Sequence, residues 1–232
     1  MKLAVFDLDH TLLPIDSGDA WSHWLVEKAG LDAAAVTAKI EAYAAAYKAG
    51  TFEPLDFIRF QFGLLAKQKR RDLETWRAEF INSIVRPAVR PEALKILEEH
   101  RRQGFEIVLA TGTYRFVTEP IAALFGIRRL IAATPEIGPD GEFTGELVGL
   151  DSYGTGKCRL VEDWMAAQNE RIEMFEAWSD SINDRPLLEF AAGFQPHGRA
   201  VAANPDPQLA LLALERGWET VSVFRDKKEN NV

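Results

Sequence analysis

Two aspartates one residue apart, Asp7 and Asp9, stand where the apolar run Leu3-Ala4-Val5-Phe6 ends. Like charges this close raise each other's pKa and favour a cation or hydrogen-bond donors beside them. In an α/β sheet the carboxyl ends of strands are also where ligands bind, so the pair points to a metal-dependent active site. The same residues also suit a plainer role, one Asp capping a helix and the other in a turn. A second acidic pair, Asp180 and Asp184, follows the apolar stretch ending Ala177-Trp178-Ser179. Joined to the first pair, it would make a carboxylate cluster suited to a hard cation such as Mg²⁺.

Two further features fall at expected strand ends. Thr111-Gly112-Thr113 follows the run from Phe105 to Ala110. A hydroxyl and free backbone N–H groups at a strand-to-helix turn can cradle an anion, although either threonine could equally cap a helix. Lys157 opens an expected helix, where a cation runs against the helix dipole and needs a compensating anion. Gly154-Thr155-Gly156-Lys157 invites comparison with a nucleotide P-loop. Cys158 stands where Ser or Thr is needed, and Asp151 where the first glycine should be, which excludes that reading.

The elements that must position these residues follow from periodicity. After the first strand, residues 19–85 read as helices: Val36, Ile40, Tyr43 and Tyr47 recur at helical spacing, as do Leu73, Trp76, Phe80 and Ile84. Gly50 and Gly63 punctuate that block, and Pro54 suits a first helical turn. Strand and helix then alternate: helices over 91–103, 116–125 (with Pro120 near its first turn), 157–168, 184–191 and 207–216, and strands over 105–110, 130–133, 174–179 and 199–202. Pro139-Asp140-Gly141 marks a hairpin over 136–148. Such alternation implies a parallel sheet covered on both faces. The helical block interrupts it and reads as a cap over residues 17–85, inserted into a core of 1–16 and 86–232. The polar tail from Lys227 is expected to fray.

Composition bounds the function. A chain of 232 residues with a formal charge of −8 shows no basic face for nucleic acid. Lys67, Lys69, Arg70 and Arg71 read as a solvated helix end. The single cysteine, Cys158, allows no internal disulfide and fits a reducing compartment. With a strand expected from residue 3 and no long apolar stretch, neither a signal peptide nor a bilayer span is expected, and the location would be cytoplasmic.

Taken in order, the four features resemble the haloacid dehalogenase superfamily of phosphotransferases: Asp-x-Asp-x-Thr, a Thr after a second strand, a Lys, then Asp-x-x-x-Asp. A helical cap between the first two motifs is similar to the branch that contains phosphoserine phosphatases and bacterial histidinol-phosphatases. The stretches 116–122 and 203–207 look like that branch too. The resemblance implies a Rossmann-like α/β core with a C1-type helical cap, and a phosphatase. It makes Asp7 the nucleophile forming an aspartyl-phosphate, and Asp9 the acid and base in turn. Mg²⁺ would be held by the Asp7 carboxylate, the Asp9 backbone carbonyl and Asp180, with Asp184 orienting metal waters or Lys157. Thr111, Gly112, Lys157 and Asn183 would hold the phosphoryl oxygens. An acid at position 9 implies a phosphate ester rather than a carbon–halogen or carbon–phosphorus bond.

Asp16 stands where phosphoserine phosphatases meet the substrate ammonium, and Arg59 is similar to the arginine that meets its carboxylate. The alternatives are a helix-capping turn for Asp16 and a solvated face for Arg59. Motif two of those enzymes is usually Ser-Gly-Gly, whereas Thr113 and Tyr114 add bulk here. The cap is rich in aromatics (Trp21, Trp24, Phe57, Phe60, Phe62), most of them read as core, one or two of which could stack on an imidazole. His10 reads as structural. The expected partner is a small, amine-bearing phosphorylated metabolite, phosphoserine- or histidinol-phosphate-like, with no nucleic acid and no membrane, in a monomer or homodimer. A non-catalytic phosphate-binding protein and a lipid-phosphate phosphatase are the rival readings.

Overall fold

In the computed structural model, residues 1–48 and 51–224 are described. Gly50, the side chain of Tyr47 and the tail from Lys227 lie outside the described residues. A six-stranded parallel sheet in the order β3-β2-β1-β6-β7-β8 forms the centre. Its strands are β1 (Lys2–Phe6), β2 (Phe105–Ala110), β3 (Arg129–Ile131), β6 (Met174–Ser179), β7 (His197–Ala203) and β8 (Glu219–Val221). β1 reads as an unbroken apolar run because both its faces are covered. Leu3 and Val5 pack into one hydrophobic cluster, Ala4 and Phe6 into the other.

The chain leaves β1 for β2 on one side and later returns as β6 on the other. That reversal opens a crevice at the carboxyl end of β1, where this kind of sheet binds ligands. Three-residue β8 is an addition to the expected strands, too short and too exposed to leave a pattern in the sequence.

Between β1 and β2 the described chain is mainly helical, beginning with α1 (Ser17–Ala29), α2 (Ala33–Lys48), α3 (Pro54–Ala66) and α4 (Arg70–Phe80). They run on through a π-turn, Ile81–Val85, into α5 (Arg86–Ala88), and then α6 (Pro91–Arg102). Pro54 opens α3, but Gly63 lies inside that helix and does not punctuate it. The hairpin of β4 (Thr134–Ile137) and β5 (Phe143–Val148) packs on α3, and a Cβ built on Gly145 would lie 3.8 Å from the Gly63 Cα. A Cβ on Gly63 itself would meet nothing within 4 Å, so the glycine this junction requires is Gly145, whose φ is 93°.

The basic run is likewise not wholly solvated. The α4 amide of Arg70 donates to Glu142 in the hairpin turn at 2.6 Å, and Lys69 pairs with Glu142 at 3.5 Å.

The remaining helices are α7 (Arg115–Leu124), α8 (Thr155–Ala166), α9 (Arg185–Gly193) and α10 (Pro207–Arg216). Pro120 falls in the second turn of α7, beyond its expected first-turn position. Proline has no N–H for the carbonyl four residues back. The Phe116 carbonyl instead accepts from Arg77 Nη1 of α4 at 2.7 Å, and the guanidinium lies 4.3 Å from the Phe116 ring centroid.

Candidate active site

Asp7 extends the ladder of β1, its N–H donating to the Trp178 carbonyl at 2.9 Å. The chain then turns tightly about the Leu8 carbonyl, which accepts from Leu12 and Leu13 at 2.8 and 2.9 Å. Burial of Leu8, Leu12 and Leu13 holds the turn down. His10 adopts a positive φ of 56°, and its carbonyl accepts from Asn204 Nδ2 at 2.7 Å.

Lys157 Nζ donates to Asp7 Oδ1 at 2.8 Å and to Asp184 Oδ2 at 2.7 Å. Ser179 Oγ donates to the same Asp184 oxygen at 2.7 Å. All three charged groups are buried, so this chain of ion pairs is fixed rather than solvated. Lys157 reaches it because α8 starts at the loop 151–154. There Gly154 takes φ 52°, ψ −117°, and a Cβ on Gly156 would lie 2.6 Å from the Asp151 carbonyl. Those two needs account for the glycines that resemble a P-loop.

Asp9 is gripped from two sides. The amide of Ser17, the first residue of α1, donates to Oδ1 at 2.8 Å, and Thr113 Oγ1 donates to Oδ2 at 2.8 Å. Thr11 Oγ1 stands 3.4 Å from both Asp7 Oδ2 and Asp180 Oδ1, which brings those carboxylates to one side of the crevice. The Asp180 loop is tied down by Asp206: its N–H donates to the Asp180 carbonyl at 2.7 Å, and its Oδ2 accepts from the Ile182 amide at 2.8 Å. Thr111 is fully buried below the cavity surface, with its Oγ1 accepting from the Thr113 amide at 3.1 Å. Gly112 and Asn183 line the cavity itself.

The electrostatics show a shortage of positive charge. Asp7 is raised above the usual carboxylate range by burial and by Asp184, with Lys157 opposing. Burial raises Asp9 too, with the Asp16 and Asp7 charges adding to it, and Asp180 is raised by burial and then by Asp7 and Asp184. Burial works against the Lys157 charge, but Asp184 and Asp7 outweigh it and hold the ammonium above its ordinary pKa. Four carboxylates thus face one ammonium.

The donor set suits a divalent cation: hard oxygens that repel one another until a charge is placed among them. The acids nevertheless do not close into the expected cluster. Among the described residues no three His, Cys, Asp or Glu side chains form a metal cage, and Lys157 fills the space between Asp7 and Asp184. The expected ligand set asks for less, two carboxylates (Asp7 and Asp180) and a main-chain carbonyl.

Above these groups lies a cavity of about 580 Å³, within the range of small-molecule sites. Its lining includes Asp7, Asp9, Lys157 and Asp180 below, with Asp16 at the start of α1 and Asp19, Tyr43, Phe57 and Gln61 from the helices between β1 and β2. Asp16 caps α1, its Oδ1 accepting from the Asp19 amide at 2.8 Å, and also borders the cavity. Arg59 is exposed on α3 and is not among the lining residues. His10 lines the cavity rim. Cys158 is buried, and burial pushes its thiol up to about 11.

The contacts that Ser17, Thr113, Ser179 and Asp206 make here are not read from the sequence. Thr113 belongs to its motif and Asp206 to a branch-like stretch, but neither pattern gives these partners. Ser179 closes the strand before a recognised motif and could have been flagged for that, whereas the amide of Ser17 gave no signal.

The parallel sheet, the crevice at β1 and the buried acid–lysine chain define a doubly wound α/β protein with its polar site at the switch point of the sheet. A profile described as haloacid dehalogenase-like hydrolase matches residues 4–189, and the chain belongs to this family, as a phosphatase. The histidinol-phosphatase of Neisseria meningitidis serogroup C (strain 8013) is 32% identical over 224 residues, 95% of this chain and 98% of its own. A Bordetella pertussis Tohama I protein described as of unknown function is 35% identical, covering 96% of this chain and 99% of that one, with a TM-score of 0.87. A substrate-bound phosphoserine phosphatase shares the fold at 18% identity and a TM-score of 0.66, covering 98% of this chain and 95% of its own. Among the described residues no helix is long and apolar enough to cross a membrane.

Proposed function

We propose that this phosphatase hydrolyses a small, amine-bearing phosphate monoester, with Mg²⁺ as cofactor and a phosphoryl group carried on Asp7, and that histidinol phosphate fits it better than phosphoserine. The observation that carries the reading is Asp7 Oδ1 held 2.8 Å from Lys157 Nζ at the floor of the cavity. A carboxylate is a modest nucleophile, so fixing its rotation and screening its charge are what this site has to offer. Lys157, fixed in turn by Asp184, supports both, and with the Gly112 amide it would hold the phosphoryl oxygens. Asp9, held by the Ser17 amide and the Thr113 hydroxyl, would give a proton to the leaving oxygen and then take one from water. When bound by Asp7, Asp180 and the Asp9 carbonyl, Mg²⁺ would neutralise charge on the transferring group.

The substrate preference rests on the cavity's upper half. Asp16 and Asp19 supply negative charge for an ammonium. Among the described lining residues Lys157 is the one Lys or Arg, and it faces Asp7, so a substrate carboxylate would meet mainly acids. Phosphoserine carries such a carboxylate and histidinol phosphate does not. A relative named histidinol-phosphatase that matches over nearly its full length supports the same choice.

Phosphate release from both esters, with Mg²⁺ or with a chelator, tests the reading. Turnover of histidinol phosphate that stops on chelation and in Asp7→Asn is expected. Turnover that survives in Asp7→Asn would overturn it.

A further inference from the structure

The described aromatic rings of the helical block divide three ways, and Trp24, Phe60 and Trp76 are half-buried against the main core. Trp21, Phe62 and Phe80 are fully buried and join the main core. Tyr43, Phe52 and Phe57 are only half-buried, and all three line the cavity. Half-burial is common to this set and to Trp24, Phe60 and Trp76, and what sets Tyr43, Phe52 and Phe57 apart is that their uncovered surface borders a cavity of ligand size.

These rings form a connected wall. Tyr43 and Phe57 have centroids 5.1 Å apart, and Phe52 lies 5.8 Å from Phe57. Phe52 in turn lies 5.2 Å from Tyr153, which comes from the core. Tyr153 sits against the loop assigned above to the phosphoryl group, since a Cβ built on Gly112 would lie 3.9 Å from its Cδ2. One side of the cavity is therefore aromatic from the phosphate end up to the cap, and Asp16 and Asp19 lie on the same lining.

Ring faces carry negative electrostatic potential, and carboxylates add to it. The combination favours a ligand part that is planar and positively charged.

We infer that Phe52 and Tyr153 are specificity-determining residues: they close the cap–core seam into a wall that selects phosphate esters bearing a planar, protonatable heteroaromatic ring close to the ester. The inference rests on the phosphatase reading of the same site and adds which residues read the non-phosphate half.

Steady-state kinetics on the full chain with Mg²⁺ test it, using histidinol phosphate as the ring-bearing ester and phosphoethanolamine as a ringless amine ester. The readout is the ratio of the two kcat/KM values. In Phe52→Leu and in Tyr153→Leu the ratio is expected to fall about three- to tenfold, the range one aromatic contact commands, through KM for histidinol phosphate. Phe52→Tyr, which keeps the ring, should restore it. If wild type turns over both esters and neither leucine variant changes the ratio, the wall is rejected while the phosphatase reading stands. Equal losses on both esters would also overturn it, as the mark of a damaged cap. If wild type hydrolyses neither these esters nor a generic aryl phosphate, the phosphatase reading fails and the inference falls with it.

Discussion

Glu176 shows how a charged residue can be structural rather than catalytic. It sits on β6, 5% exposed, and its Oε2 meets His100 Nε2 at 3.2 Å, Trp178 Nε1 at 3.2 Å and Arg199 Nη1 at 3.0 Å. Burial alone would raise its pKa. The His100 bond and the Arg199 charge outweigh that and hold the carboxyl below its ordinary value. A depressed folded pKa means the stabilisation is present above the unfolded pKa and lost as pH falls through the folded one. Glu176→Gln should therefore cost about 1–3 kcal/mol at neutral pH, with the gap to wild type closing at acid pH. Urea unfolding of both proteins at neutral and acid pH measures this; a gap that widens on acidification would contradict the assignment. No motif marked Glu176, because its partners come from three separate elements. The motif acids were legible for the opposite reason, since Asp7 and Asp180 directly follow apolar runs, with Asp9 and Asp184 at short spacing after them. Arg59 shows the limit of spacing: where it points depends on how α3 turns about its axis when the hairpin docks on it, which no count from Gly50 could supply.

At the scale of elements, the succession of strands and helices along the chain and the helical insertion could be read from alternation, because a strand covered on both faces leaves a run of apolar residues; the order of strands within the sheet could not. What could not be read was how elements meet. The junction of α4 with α7 turns on Pro120, whose missing N–H frees the Phe116 carbonyl for Arg77. Burial lowers the Arg77 pKa while Glu119 and Glu74 oppose it, which marks a guanidinium partly withdrawn from water. Arg77→Met keeps the apolar stem but removes the donor. It should destabilise the protein by about 1–3 kcal/mol, the cost of leaving a covered carbonyl unpaired. An unchanged urea midpoint would show that water replaces the arginine freely. The α3–hairpin contact has the same character, since Gly145 is required there by its positive φ, which no apolar pattern marks.

Across the whole molecule, cap and sheet share one hydrophobic cluster, in which Trp21, Phe62 and Phe80 of the cap join Phe6, Leu109 and Phe116 of the core. Edge-on ring contacts cross the junction, Trp21 to Phe116 at 5.9 Å and Phe62 to Tyr114 at 5.2 Å. The cavity floor and roof are thus set by one packed body, and Asp9 records this by binding both the first amide of α1 and a hydroxyl of the core. Everything converges on Asp7, the acid that β1 delivers to the lysine. The most direct test is to mix the protein with Mg²⁺ and histidinol phosphate, quench in acid during turnover, and locate any phosphoryl group by peptide mass spectrometry. The account predicts the added mass on the peptide bearing Asp7, at Asp7 itself. Product formation with the phosphoryl group on another residue would contradict it.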